Sequence, residues 1–316
     1  MITFVQFDDI RSIEKSAVAM GNFDGMHKGH IELVRRTVAG AARNGIKSAV
    51  FTFSNHSKNA LAGKRIVRNI QYPNDKAAMI GALGVDYLFS VPFTERIQHM
   101  SKETFVEELL LGTFNMAEAF CGFNFRYGYK AEGDAESMRA AGALFGFPVH
   151  VLNAVRVDGQ TVSSSLIRKL IAEGRMEECE RFSGRNYFVE GVVSEGNRIG
   201  RTFGFPTLNI NTDDVMAVPA HGVYVTECAV ANGNYASVTN VGVRPTIDGA
   251  GTRIVETHLL DFSGDLYGRT VRVVFLKKIR DERRFANIEL LARQIEKDCS
   301  DARKYHTEKA AEIMMR

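Results

Sequence analysis

The sequence has few cysteines, no long apolar run and little net charge, and each absence excludes a class of protein. The four cysteines among 316 residues form no C-x-x-C pair and have no histidine at metal-binding spacing, so neither a disulfide framework nor a zinc site is indicated. The sequence contains no run of 18 apolar residues, so it predicts no membrane-spanning helix. The formal net charge of +3 is too small for a dedicated nucleic-acid-binding protein. We interpret the thiols as buried or idle: Cys121, Cys179, Cys228 and Cys299.

The amino-terminal residues also lack the pattern of a secretory signal. Asp8 and Asp9 stand where a signal peptide has a basic stretch followed by an apolar core. We therefore expect a cytoplasmic protein that binds neither membranes nor nucleic acid. Hydrophobic residues make up 45% of the chain and charged residues 24%, which is typical of globular domains. A length of 316 residues favours two domains.

Up to about residue 182, short apolar runs alternate with segments of helical periodicity. Residues 29–43 give the clearest helical pattern, with Gly45 placed to end the helix. Two further helices are expected over residues 164–173 and 176–182. This alternation predicts a doubly wound α/β domain with a mostly parallel sheet, which binds ligands at the carboxyl ends of its strands. The apolar runs lie at residues 17–20, 48–53, 87–91, 117–122 and 148–152.

The pattern changes near residue 183. Short β-rich runs are then separated by Gly, Asn and Asp turns as far as residue 278, which predicts an antiparallel barrel or sandwich. Helical periodicity returns from about residue 287 to residue 315. We therefore predict two domains, at residues 1–182 and 183–316.

A glycine-rich segment, G-N-F-D-G-M-H-K-G-H, follows the first predicted buried strand at residues 21–30. Its glycines let the backbone approach a ligand closely, and the start of the following helix offers free N–H groups. His27 and His30 can donate hydrogen bonds to a triphosphate as charge builds on a leaving pyrophosphate. A purely structural histidine pair is the alternative, but the strand-to-helix context favours an anion-binding cradle.

Two other segments are candidates for phosphate binding. The Ser-rich turn of Ser163, Ser164 and Ser165 fits a plain helix cap, but Arg168, one turn further on, adds a guanidinium that matches phosphate geometry. Residues 200–209, G-R-T-F-G-F-P-T-L-N, place glycines beside a basic residue, and Thr207 and Asn209 offer neutral oxygens of the kind that Mg²⁺ accepts. Residues 204–207 could instead be only a turn into a strand.

These motifs resemble those of a known family. The H-x-G-H motif after a first strand resembles the nucleotidyltransferase superfamily, and the full string at residues 21–30 resembles the bacterial bifunctional riboflavin kinase/FAD synthetases. Residues 122–128 and 162–168 resemble that family's glycine–aromatic and Ser-rich motifs. Residues 200–209 and an ordered series of strings as far as residue 268 resemble the riboflavin kinase signature with its Pro-Thr-x-Asn core.

The resemblance covers about residues 17–303 and implies a Rossmann-like nucleotidyltransferase domain followed by a kinase barrel with a terminal helix. It implies that ATP phosphorylates riboflavin to FMN in the barrel and adenylylates FMN to FAD in the first domain, both with Mg²⁺. The partners would be these small molecules alone, and the protein a monomer or weak homo-oligomer. The segment 280–285 would be a flap, or else a solvated run of charges.

The resemblance also implies roles for particular residues. His27, His30 and Arg168 would act in adenylyl transfer, and Glu256 would be the general base that faces the terminal ribityl hydroxyl of riboflavin. Thr207 and Asn209 would hold Mg²⁺ and the ATP phosphates. The nucleotide and flavin sites would be lined by Gly21, Asn22, Phe23, Asp24, Gly25, Gly29, Asn124, Ser163, Ser164, Ser165, Gly200, Arg201, Gly204, Pro206, Thr207 and Asn209.

One segment departs from the family's pattern. Where the family usually has an acidic residue and two prolines around a histidine, this chain has Ser54, Asn55 and Ser57 around His56. Two alternatives therefore stay open: a riboflavin kinase with a degenerate adenylyltransferase domain, or a non-catalytic protein that responds to flavin or nucleotide. The second is disfavoured because a binding protein would not require the reactive side chains at both sites: His27, His30, Thr207, Asn209 and Glu256.

Overall fold

The computed structural model describes residues 1–194, 205–244 and 252–314. It divides into two compact units, Met1–Ser164 and Ser165–Arg316. The first unit carries six α-helices, and α5 continues into a π-helical stretch, Phe105–Thr113. Its helices are α1 (Lys28–Asn44), α2 (Ser57–Ala62), α3 (Pro73–Ala82), α4 (Glu95–Gln98), α5 (Lys102–Thr104) and α6 (Ala135–Phe145). Its strands are β1 (Ile2–Phe4), β2 (Ser16–Met20), β3 (Lys47–Phe53), β4 (Tyr87–Val91), β5 (Met116–Gly122), β6 (Arg126–Tyr127), β7 (Gly133–Asp134), β8 (Val149–Leu152), β9 (Arg156–Val157) and β10 (Gln160–Thr161).

The main sheet of this unit has the strand order β1-β4-β3-β2-β5-β8, and every neighbouring pair is parallel. The chain proceeds from β2 outward through β3 to β4 and then returns to β5 on the other side of β2. The crevice at the carboxyl ends of β2 and β5 is therefore the topological switch point, where sheets of this kind bind ligands. The predicted doubly wound parallel sheet is confirmed.

Both faces of this sheet are covered, which explains its continuous apolar strands. Val18 and Met20 of β2 pack into one core cluster, whereas Ala17 and Ala19 pack into the cluster on the other face. The longest helix of the unit, α1, ends at Gly45, whose φ of 64° is the left-handed conformation that glycine adopts without a Cβ penalty.

The second unit begins with two helices and continues as a barrel. The strands close in the order β11-β12-β15-β14-β13-β16, with all neighbours antiparallel. The barrel, rather than a sandwich, and the terminal helix are thus confirmed. The elements are α7 (Ser164–Glu173), α8 (Met176–Ser183), β11 (Tyr187–Ser194), β12 (Leu208–Thr212), β13 (Gly222–Val230), β14 (Gly233–Arg244), β15 (Thr252–Leu259), β16 (Thr270–Arg280) and α9 (Ile288–Met314).

The terminal helix covers one outer face of the barrel. Cys299 and Ala302 of α9 pack against Val223 and Val225 of β13. At the carboxyl end of β16, Arg280 donates to the Asp298 carboxylate of α9, with an Nη2–Oδ2 distance of 2.7 Å. Asp298 is almost fully buried, so this pair fixes the register of the helix against the barrel.

The predicted boundary between residues 182 and 183 stays a prediction. Helices α7 and α8, which the sequence pattern assigned to the first domain, lie in the second compact unit apart from Ser164. No helix in the described part of the chain combines the length and apolar composition that a bilayer crossing requires.

All four cysteines are buried and unpaired with one another, as the sequence analysis predicts. Burial raises the pKa of Cys121 and Cys299 to about 11 and that of Cys179 and Cys228 to about 12. Because the thiolate is the reactive form, we expect a chromogenic thiol reagent near pH 8 to label none of them rapidly in the native protein. All should be labelled after denaturation, as measured by the released chromophore. Fast labelling of the native protein would contradict the buried positions.

Candidate active sites

The β2–α1 loop, residues 21–27, lies at the switch point of the parallel sheet. Three of its residues have a positive φ: Phe23 at 49°, Gly25 at 82° and Met26 at 32°. Phe23 and Met26 have no exposed surface, so burial of two large apolar side chains holds a backbone conformation that non-glycine residues avoid. Strained backbone of this kind concentrates at functional sites.

The two histidines of the motif are brought together at the start of α1. His27 caps the helix, and its Nδ1 accepts a hydrogen bond from the His30 N–H at 3.3 Å. The two rings stack with centroids 3.7 Å apart and planes 17° apart. Because Nδ1 of His27 accepts this bond, the hydrogen of its neutral ring is on Nε2. The start of α1 thus combines imidazole N–H and backbone N–H donors.

Asp24 ties this loop to two other segments. Its carboxylate accepts the backbone N–H of Ile70 at 3.0 and 3.2 Å. Its carbonyl oxygen accepts the hydroxyl of Ser164 at 2.8 Å. The Ser-rich turn, which is far away in sequence, therefore contacts the glycine–histidine segment at Asp24.

Lys76 is a residue that the motif analysis missed. It lies on α3 and is buried, and its ammonium lies 3.0 Å from the Phe53 carbonyl and 3.5 Å from the Asn22 carbonyl. Burial lowers the pKa of Lys76 to about 8, and the Asp24 charge opposes this shift. The signal in the sequence is a lysine one turn before Ile80, on the apolar side of a short helix.

The glycine–aromatic segment reaches the same edge of the sheet from β5. Met20 of β2 pairs with Cys121 of β5, so residues 21 and 122 leave the sheet side by side. Asn124 is exposed here, and a Cβ on Gly122 would lie 3.3 Å from the Asn124 Oδ1. The structure therefore places Asn124 at the switch point.

The rest of the Ser-rich motif lies at the division between the two compact units. Ser163 precedes α7, Ser164 and Ser165 begin it, and Arg168 is half-buried one turn further along the helix. Arg168 therefore belongs to the second compact unit, which begins at Ser165.

The segment that departs from the family's pattern borders the loop. Asn55 accepts the Phe93 N–H at 2.7 Å and donates to the Phe93 carbonyl at 3.3 Å. His56 caps α2 and accepts the Lys58 N–H at 3.3 Å. A cavity of about 30 Å³ separates this segment from the loop, and its lining includes Asn22, Asp24, Ser54, Asn55, His56 and Lys76.

The second predicted site lies on the outer face of the barrel. Asn209 of β12 stands directly opposite Glu256 of β15, and Glu256 stands opposite Asn240 of β14. Directly opposed residues point to the same side of a sheet, so these side chains form one polar row across three strands. The register brings together Asn209 and Glu256, two of the residues singled out from the sequence. Asn240 was not predicted, because its place opposite Glu256 follows only from the register.

The strand that carries Asn209 is fixed at its start. The Pro206 carbonyl accepts a hydrogen bond from Nδ1 of His258 at 2.8 Å, which holds the backbone next to the half-buried Thr207. Among the described residues, the buried Oδ1 of Asn209 has no hydrogen-bond partner. The predicted cradle residues Gly200, Arg201 and Gly204 lie outside the described residues.

Fold and sites together define a class of protein: a nucleotidyltransferase-like α/β unit followed by a closed antiparallel barrel that carries a polar row across three strands. A family model for FAD synthetase matches residues 9–166, and one for riboflavin kinase matches residues 183–306. The bifunctional riboflavin kinase/FMN adenylyltransferase of Pseudomonas fluorescens is 33% identical over 93% of this chain and 94% of its own. That of Bacillus subtilis is 32% identical, covering 92% of each chain. The chain belongs to the bifunctional riboflavin kinase/FMN adenylyltransferase family.

A solved structure shares nearly the whole fold. It is a Streptococcus pneumoniae protein named a macrolide-efflux protein, with a TM-score of 0.87 and 29% identity over 96% of this chain and 98% of its own. Its name differs from those of the sequence relatives, and its likeness to this chain supports the arrangement of elements within each unit.

Gly25 allows a direct test of the loop geometry. Its φ is 82°, and a Cβ there would lie 3.0 Å from two side-chain carbons of Ile70. Gly45 has a similar φ of 64° but open space around its Cβ position. Gly45→Ala should therefore lower the free energy of unfolding by about 1 kcal/mol, and Gly25→Ala by about 1–3 kcal/mol more because of the added contact. Thermal unfolding midpoints would compare them, and equal midpoints would contradict the close packing of the loop.

Proposed function

We propose that this chain phosphorylates riboflavin to FMN in its barrel and adenylylates FMN to FAD in its amino-terminal unit, using ATP in both reactions. The observation that carries the proposal is that each unit contains its own reactive group of side chains. The stacked His27 and His30 lie at the sheet's switch point, and Asn209 stands beside Glu256 on the barrel. Membership of the family supports both activities.

Mg²⁺ fits the barrel site. The buried amide oxygen of Asn209 lacks a hydrogen-bond partner among the described residues, and a buried acceptor of this kind calls for a donor or a cation. Neutral amide and hydroxyl oxygens suit Mg²⁺, which also takes phosphate oxygens and water. Thr207 and Asn209 would hold the ion, which neutralises charge on the ATP phosphates when bound.

Phosphorylation then needs mainly alignment and a proton acceptor. The terminal ribityl oxygen of riboflavin forms a bond to the γ-phosphorus of ATP, and the bond from that phosphorus to the bridging oxygen of ADP breaks. Glu256 accepts the hydroxyl proton as the new bond forms. Pro206 lines the phosphate tail of this ATP, and Gly200, Arg201 and Gly204, which lie outside the described residues, stay predicted members of the same cradle.

Adenylyl transfer uses the other site. A phosphate oxygen of FMN attacks the α-phosphorus of ATP, and pyrophosphate leaves. His27 and His30 donate hydrogen bonds to the phosphates as negative charge builds on the leaving group. Arg168 and the Ser-rich turn supply further donors, Asn124 contacts nucleotide or flavin phosphate, and the backbone of the β2–α1 loop closes around the triphosphate.

The departures at Ser54, Asn55 and Ser57 are compatible with this second activity. Asn55 holds the Phe93 backbone through two hydrogen bonds, and the histidine pair beside the segment keeps its stacked geometry. Incubation of the protein with riboflavin, ATP and Mg²⁺, followed by separation of the flavins, tests the proposal. We expect FMN and FAD. FMN alone would leave only the kinase, and neither product would indicate a non-catalytic binding protein.

We also propose the protein's partners, location, oligomeric state and domain boundary. Its partners are ATP, riboflavin and FMN rather than nucleic acid or membrane, in keeping with a net charge of only +3. It acts in the cytoplasm as a monomer or weak homo-oligomer, and its domains meet between residues 182 and 183.

Removal of His30 should separate the two activities. His30→Ala deletes a donor to the leaving pyrophosphate, and such donors are typically worth about 10²–10³ in rate. FAD formation from supplied FMN should fall by that factor, while FMN formation from riboflavin continues at the wild-type rate. Both rates can be followed by separating the fluorescent flavins. Equal loss of the two activities would contradict separate sites.

Glu256→Gln should have the opposite effect. Glutamine has nearly the same shape but does not accept the hydroxyl proton, so riboflavin phosphorylation should fall by about 10²–10⁴. Adenylylation of supplied FMN should persist at the wild-type rate, which serves as the control for folding. Wild-type kinase turnover in this variant would remove Glu256 from the role of base.

A further inference from the structure

We propose that Lys76 is a positioning residue for adenylyl transfer, whose buried ammonium ties the β2–α1 loop to the carboxyl end of β3. The inference rests on the proposed adenylyltransferase function and adds a residue to it. Lys76 acts through the loop that carries His27.

The contacts of Lys76 join the start of the loop to the end of β3. Its Nζ lies 3.0 Å from the Phe53 carbonyl, 3.3 Å from the Thr52 hydroxyl oxygen and 3.5 Å from the Asn22 carbonyl. The Thr52 hydroxyl itself donates to the same Asn22 carbonyl at 3.0 Å. Lysine and threonine thus hold Asn22 from two directions.

The position of Asn22 controls the backbone of the rest of the loop. The next residue, Phe23, has a φ of 49°, and its ring lies 5.2 Å from that of His30. A shift of the Asn22 carbonyl would turn this strained backbone, and with it the surface against which His30 packs. Misplacement of a catalytic group by about 1 Å can cost about 10²-fold in rate.

A charged residue is a costly way to make these contacts. Lys76 is 9% exposed, and burial of an ammonium without full compensation is unfavourable. An apolar side chain at this position of α3 would pack beside Ile80 without that penalty. An apolar side chain donates no hydrogen bonds, whereas the three N–H donors of the ammonium hold the loop in position. This role in positioning the loop accounts for a buried lysine at this site.

The ammonium also titrates within reach of an assay. Burial lowers the pKa of Lys76 to about 8, opposed by the charge of Asp24. The titratable groups that line the same cavity are Asp24 from the loop and His56 from the segment after β3. A neutral amine has only two N–H donors for the three acceptors, so deprotonation releases one contact. We therefore expect FAD formation to decline above about pH 8.

This decline would not reflect unfolding caused by the same group. The pKa of Lys76 is lower in the folded chain than the ordinary value of 10.5, so the folded state binds fewer protons than the unfolded state between these two values. The contribution of Lys76 to the free energy of unfolding therefore rises with pH across this window. As the pH rises, deprotonation of Lys76 should therefore lower the rate of FAD formation while it stabilises the folded chain.

The first experiment compares Lys76→Met with the wild type and with Lys15→Met. Lys15 is an exposed lysine just before the amino end of β2, at the opposite end of the strand from the loop, and serves as the matched control. Lys76→Met should lower kcat for FAD formation by about 10–100-fold, with a smaller change in KM. It should also lose the alkaline decline. Lys15→Met should keep the wild-type kcat and pH profile, and FMN formation should be unchanged in both variants.

A second variant keeps the test decisive if Lys76→Met fails to fold. Ser54 lines the same cavity as Lys76, so Ser54→Asp adds a carboxylate to the lining of that cavity and should move the alkaline decline to higher pH. A wild-type pH profile in Ser54→Asp, or wild-type kcat in Lys76→Met, would overturn the inference while the proposed function stands. A wild-type protein that makes FMN but no FAD would instead remove the adenylyltransferase proposal, and this inference with it.

Discussion

Phe23 and Met26 bury their side chains completely while their backbones stand at positive φ. Apolar burial and backbone preference therefore oppose each other in the β2–α1 loop. Each buried side chain contributes about 1.5–3 kcal/mol, which offsets a backbone strain of about 1–3 kcal/mol. This outcome sets the direction in which the chain enters α1. The stacking of His27 on His30, the donors at the helix start and the contact of Asp24 with Ser164 all depend on that direction.

The two proposed sites would bind anionic substrates although the protein is not strongly basic. The net charge of +3 gives little long-range attraction, so phosphate recognition would rely on short-range polar groups held in place. In the first unit these are imidazole and backbone N–H groups at a helix start. In the barrel the proposed groups are acceptors: the Asn209 amide oxygen, which would bind the Mg²⁺ that neutralises phosphate charge, and the Glu256 carboxylate stand in register on neighbouring strands. The first site therefore owes its geometry to the buried loop and the start of α1, whereas the barrel site owes its geometry to strand pairing.

Features set by residues close together in the sequence were easier to predict than features set by strand pairing and tertiary contacts. The H-x-G-H spacing places His27 and His30 one turn apart, and a helix brings such residues together wherever it lies. The polar row of Asn209, Glu256 and Asn240 depends on which strands pair and in what register, so Asn240 could not be found from spacing. Closure of the barrel and the placement of α7 and α8 depend on tertiary contacts in the same way. Lys76 was missed because a lysine in a short helix normally indicates a solvent-exposed face.

The departure at residues 54–57 affects both how the neighbouring backbone is held and what charge the segment brings to the cavity. Proline fixes a backbone by its ring, and here Asn55 holds the Phe93 backbone instead, through one accepted and one donated hydrogen bond. Ser54 brings no charge to the cavity that Lys76 lines. Asp24 is therefore the carboxylate that opposes the effect of burial on the pKa of Lys76. Since Asp24 belongs to the β2–α1 loop itself, the charge of the lysine and the position of the loop are coupled through one residue.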